Sequence, residues 1–156
     1  MAPHAATADR TPSLDGLIVD PAARTALAAV GLDTFTALTQ ADVGSPLRRL
    51  RDRENWRVVL RRDDGEPLVA YLKRHRGPTW RMRLRRLFGL ESPDTPARVE
   101  VENVVRLQLA GIGTMRVLAW GESAARGPGE RSCVLVEGLT GHEQLDHVLR
   151  RRCGPV

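Results

Sequence analysis

Two runs of β-forming residues, WRVVLRR (56–62) and PLVAYLKRH (67–75), flank the segment DDGE, and this hairpin signature constrains the chain more than any other stretch. Asp64-Gly65 is a strong tight-turn signal, because glycine takes the positive φ that such turns demand. An earlier run, PLRRLR (46–51), separated from the second by DREN, extends the hairpin to a three-stranded antiparallel meander. Side chains alternate along a strand, so Val69, Tyr71 and Lys73 belong on one face and Ala70 and Leu72 on the other. Lys73 is the only lysine among 24 basic residues. It is expected on the same face as two apolar side chains.

The remaining chain supplies helices and two more strands. Residues 1–13 are small, polar and proline-containing, which predicts a disordered tail. Residues 14–44 read as a helical preface: Asp20 caps a helix that starts at Pro21 and stops at Gly31, and a second helix runs from Asp33 to about Ala41. Residues 45–140 form the main lobe. Within it GPTWRMRLRRLFGL spaces Trp80, Leu84, Leu87 and Phe88 as one helical face, with Arg81, Arg83, Arg85 and Arg86 between them. A longer helix opens with Thr95 as cap and Pro96 at its first position and closes at Gly111. Val101, Val104, Val105 and Leu109 are its expected buried stripe. Glu100 falls at the border of that stripe, and Glu102 on an outer face within i±4 reach of Arg98 and Arg106. MRVLAWGE and RSCVLVEGL predict the last two strands, joined by the turn-rich SAARGPGE. Residues 141–156 open another helix. The expected fold class is α+β: a five-stranded antiparallel sheet, a long helix and a small N-terminal helical preface.

A chain of 156 residues, 42% hydrophobic, can bury one core of ordinary size. Cys133 and Cys153 show no metal-site spacing, and His4, His75, His142 and His147 show no ligand or triad spacing. The first residues lack a basic start followed by an apolar run, and no segment approaches the roughly 20 apolar residues that span a bilayer. A cytoplasmic location is the resulting expectation.

A lysine on the inward-leaning face of a strand, followed by a glutamate on the edge of a helix's apolar stripe, suits a nucleotide site. The ammonium is a compact charge for phosphate oxygens, and the carboxylate holds it in place. The alternative is a lysine stranded by composition at a snorkelling strand end. The sequence resembles the lipopolysaccharide core kinases, the heptose and Kdo sugar kinases, whose fold is similar to that of protein kinases. VAYLKRH resembles their third-strand lysine motif, and ARVEVENVVRLQLAGIGT their C-helix segment. VLAWGE and RSCVLVEGLTG resemble the fourth strand and the fifth strand running into the hinge. The resemblance implies a protein-kinase-like N-lobe in which Lys73 contacts phosphate and Glu100 pairs with it, with Glu102 as the competing candidate. It implies that Glu137, Gly138 and Leu139 offer backbone groups to the adenine, that Tyr71 lines the cleft, and that ATP and Mg²⁺ are the cofactors.

Two departures qualify this. LRRLRDRENWRVV carries no glycine where a phosphate-covering turn belongs. After Leu139 the only aspartate is Asp146, in QLDHVL, which reads as a helix, and both asparagines, Asn55 and Asn103, precede the hinge. The expectation is an ATP-binding lobe truncated before its catalytic loop, with residues 141–156 the start of the C-lobe, and no transfer by these residues alone. The acceptor, heptose, Kdo or another hydroxyl, is left open.

A second reading is a non-catalytic basic module. Arg74, Arg76, Arg81, Arg83, Arg85 and Arg86, with Trp80 and Phe88, would meet an anionic membrane or nucleic acid through residues 74–88. Nucleic acid is disfavoured by 4% aromatic content and the lack of a reader motif. The partners expected are ATP, then the inner-membrane surface or a lipid-linked sugar, with no obligate protein partner.

Overall fold

The computed structural model describes residues 16–78, 80–90, 94–125, 127–139 and 151. The expected N-terminal tail and C-terminal helix, with Asp146 and Cys153, lie outside these. In chain order the elements are β1 (Leu17–Val19), α1 (Arg24–Ala29), α2 (Phe35–Gln40), β2 (Ser45–Arg49), β3 (Arg53–Arg61) and β4 (Pro67–Arg76). There follow α3 (Trp80–Leu87), α4 (Pro96–Leu109), β5 (Val117–Glu122) and β6 (Arg131–Glu137). The strands form one antiparallel sheet in the order β1-β5-β6-β4-β3-β2.

The β3–β4 hairpin closes where the sequence predicts. Gly65 takes φ 84°, the Gly65 amide donates to Arg62 O at 2.9 Å, and the Asp64 carboxylate accepts from the Glu66 amide at 2.9 Å. Alternation then sorts the two strands. Trp56, Val58, Leu60, Leu68, Ala70 and Leu72 are buried on one face, against Leu27, Leu32 and Leu38 of the preface. The opposite face of β4, β5 and β6 is covered by α4, whose Ala97 and Val101 pack with Trp120, Val134 and Val136.

Several expectations need correction. The sheet has six strands, not five: β1 arises within the preface, which is therefore not wholly helical. Leu17, Ile18 and Val19 pair with Gly121, Trp120 and Ala119. Gly121 makes room for this, since a Cβ there would lie 2.8 Å from Gly16 O and 2.9 Å from the Phe35 ring. The second helix is shorter than expected, because Thr34 caps it by accepting from the Ala37 amide at 3.1 Å. In α4 the buried stripe runs through Ala97, Val101 and Val104, while Leu109 is exposed: the sheet ends before the helix does. Arg98 pairs with Glu122 rather than Glu102, which among the described residues pairs with Arg106, at 3.7 Å.

Arg74 departs furthest from expectation. Counted by sequence with the exposed basic stretch, it is buried on the preface side of the sheet. Its Nε donates to Leu38 O at 2.6 Å, its Nη2 to Ala41 O, and its guanidinium lies 5.1 Å from the Trp56 ring centroid. It fastens the end of α2 to the sheet, and burial lowers its pKa from the ordinary arginine value. Arg76, beside it, pairs with Glu54.

Candidate functional site

The face of the sheet carrying Lys73 holds the candidate site. β4 brings Val69, Tyr71, Lys73 and His75 to this side, all partly buried. Opposite them α4 is held at its start by Thr95. Its hydroxyl donates to Glu122 Oε2 at 2.8 Å and accepts from the Arg98 amide at 3.3 Å, while Arg98 lies 5.4 Å over the Trp120 ring. With Ala97 and Val101 turned to the sheet, Glu100 falls at the side of the interface and forms an ion pair with Lys73. The two side chains keep 31% and 24% exposure, so the pair can be reached from solvent. Glu102, the competing carboxylate, is exposed on the outer side of α4 with Arg106.

Beyond the edge of α4 the sheet is open over β2 and β3, and strand register decides what stands there. Arg48 pairs with Asn55, and Asn55 with Lys73, so the three form one row across the face. At ~4.8 Å between strands, about 10 Å separates the ends of the row. Arg57 opposes Tyr71 and Arg53 opposes His75 on the same side. Arg48, Arg53 and Arg57 are exposed, and among the described residues none of them forms an ion pair. Sequence reading missed this shelf; alternation within β3 and pairing of β2 with β3 are the signals that find it.

The connection from β2 to β3 is a tight glycine-free turn at residues 50–52, with the Leu50 amide donating to Arg53 O at 2.8 Å. At the other end of β4 stand Glu137, Gly138 and Leu139. The amide of Glu137 donates to Arg116 O and that of Gly138 to Val69 O, both at 2.8 Å. The Glu137 carboxylate receives Arg62 at 2.6 Å. Gly138 lies flush with Tyr71, whose Cε2 would stand 3.2 Å from a Cβ at that position. Tyr71 itself packs beside Val134 and Val136.

The lysine, the carboxylate beside it and the arginine shelf make this a strongly cationic, solvent-accessible face. The family model of the lipopolysaccharide kinase (Kdo/WaaP) family matches residues 37–154. The chain belongs to this family. Among solved structures it is similar to "WaaP in complex with acyl carrier protein", at 26% identity and a TM-score of 0.55, over 90% of this chain and 48% of that one. It thus spans about half the length of WaaP. No curated protein matches the chain. As a member of the Kdo/WaaP family it is lipopolysaccharide-kinase-like, and its antiparallel sheet with α4 on one face is a WaaP-like mixed α/β arrangement.

The cofactors that the family implies meet these residues unequally. The face fits the phosphates of ATP: an ammonium has three protons, one of which serves Glu100, and three exposed guanidiniums flank it. For Mg²⁺ the described residues assemble no cluster of three or more His, Cys, Asp or Glu side chains, so its ligands are not assigned to them.

Proposed function

We propose that this chain is the ATP-binding lobe, protein-kinase-like in plan, of an enzyme that phosphorylates a sugar hydroxyl in lipopolysaccharide synthesis. The Lys73–Glu100 ion pair, half-exposed beside the arginine shelf, carries the reading. Bound ATP would supply the transferable phosphoryl group. Lys73 holds its phosphate oxygens as a point charge, and Glu100 keeps the ammonium from swinging away. Arg48, Arg53 and Arg57, with the Asn55 amide, supply the anion grip that a glycine-rich turn supplies elsewhere. The adenine edge meets the backbone at Glu137–Leu139. The amides of Glu137 and Gly138 are already engaged, so the Glu137 carbonyl and the Leu139 amide are the groups offered. Tyr71 and Gly138 form the floor beside it. Acceptor binding and removal of the hydroxyl proton are assigned to a second lobe, such as the half of WaaP that this chain does not cover.

Titration with a fluorescent ATP analogue tests the assignment. Lys73→Met should weaken binding about 10- to 100-fold, the worth of a charge-assisted contact, and Glu100→Gln by less, with the urea midpoint unchanged in both. Equal affinity for the native chain and Lys73→Met would overturn it. A nucleic-acid module through residues 74–88 loses one of its cations to the fold, because Arg74 is buried against the end of α2.

A further inference from the structure

Helix α3 is turned inside out relative to an ordinary surface helix. At ~100° per residue, Trp80, Leu84, Leu87 and Phe88 share an arc of about 100°, which in a soluble domain normally faces the core. Here that arc faces solvent: Trp80 is 68% exposed, Leu87 78% and Phe88 68%, and Leu90 just beyond the helix is exposed as well. The only half-buried residues of α3 are Met82 and Arg86, on the opposite side. The inward face is held by a polar clasp. Arg86 Nη1 donates to both oxygens of the buried Glu130 carboxylate, at 3.1 and 3.3 Å, and Nη2 donates to Asp94 O at 3.1 Å. The buried carboxylate holds that guanidinium inward, and with it the apolar face outward.

Charge says what covers this face. Arg81 and Arg83 flank the apolar arc on its two sides and are exposed, Arg81 with its guanidinium 5.4 Å from the Trp80 ring centroid. No acidic side chain occurs in residues 76–90. An outward apolar strip of Trp, Leu and Phe between arginines is the make-up of a helix lying in the plane of a lipid surface. There guanidiniums meet lipid phosphates and the apolar residues enter the headgroup boundary. α3 follows Arg76, which pairs with Arg131, whereas the chain leaves the sheet at Glu137, opposite Ala70. Six residues of strand, about 20 Å, separate the two ends.

We propose that α3 is a membrane-docking helix: Trp80, Leu84, Leu87 and Phe88 insert into an anionic lipid surface, and Arg81 and Arg83 bind its phosphates. Among the described residues no helix is long and apolar enough to cross a membrane, so contact through α3 is peripheral. The proposal does not depend on nucleotide binding, and its site shares no residue with the Lys73 face.

Trp80 is its own reporter, because Trp56 and Trp120 are buried. The full chain is mixed with phosphatidylcholine vesicles and with vesicles containing phosphatidylglycerol, and flotation and tryptophan emission are followed. The expected result is binding to the anionic vesicles, weakened by salt, with a blue shift that Trp80→Phe abolishes. Leu87→Ser with Phe88→Ser should reduce partitioning by roughly tenfold for each side chain, and Arg81→Glu with Arg83→Glu should reduce it to the level of neutral vesicles. These positions are exposed, and an unchanged urea midpoint confirms that the variants fold. Binding that ignores the Leu87/Phe88 change, or an emission unmoved by vesicles, overturns the proposal. So does a concentration-dependent dimer dispersed by that same change, or duplex DNA bound through Arg81 and Arg83 alone.

Discussion

At the scale of single residues, neighbours of one type have opposite fates. Lys73 and Arg74 are adjacent cations; the pleat sends one to the Lys73–Glu100 pair and the other into the preface core. An arginine tolerates that burial because its planar head satisfies two helix-end carbonyls while its stem and face cover Trp56. His75, next on the Lys73 side, is a different case. Its Nε2 is buried without a hydrogen-bond partner among the described residues, and its pKa is lowered, chiefly by burial. Glu100 and Asp52 pull it upward, while Lys73 and Arg53 push it further down. In the unfolded chain this imidazole takes up a proton near pH 6.5, and in the folded chain only at lower pH. Stability is therefore complete above about pH 6.5 and declines as pH falls below it. Urea midpoints measured from about pH 7.5 down to about pH 5.5 should fall, and His75→Asn should flatten that slope; an identical slope in the variant would show that other groups set it.

Elements add what residues alone do not show. The start of α4 was legible from Thr95-Pro96, because a capping hydroxyl and a proline at the first position act locally. The Glu122 carboxylate that fixes Thr95 from 27 residues away was not. Thr95 is fully buried, so Thr95→Ala removes a cap and a buried hydrogen bond together. It should cost about 2 kcal/mol by denaturant titration, and Thr95→Ser should restore most of that. A loss shared equally by Ala and Ser would point to packing of the methyl group rather than to the cap. α3 makes the complementary point. Its periodicity was plain, but periodicity gives only the apolar arc; the Arg86–Glu130 clasp decides which way that arc faces.

For the whole molecule, the preface is part of the core and not an appendage. Leu27, Leu32 and Leu38 are fully buried against Trp56, Leu60, Leu72, Leu118 and Leu135, and β1 continues the sheet beyond β5. A chain lacking residues 1–44 should therefore bind the dye ANS and lose its cooperative urea transition, because one face of the sheet is stripped. A sharp transition at the native midpoint would show instead that the sheet and α4 suffice. What the sequence determined alone was local: the Asp64-Gly65 turn, five of the strands, the Asp20 and Thr95 caps, and the alternation that sets Lys73 apart from Leu72. Those signals arise from backbone geometry over a few residues, so they are written in order along the chain. Tertiary structure alone decided the sixth strand, admitted by the missing side chain of Gly121, and the burial of Arg74. It also decided the row of Arg48, Asn55 and Lys73 across three strands and the outward turn of α3. Each depends on pairing between distant segments, where register and packing, rather than local preference, set which side chains meet.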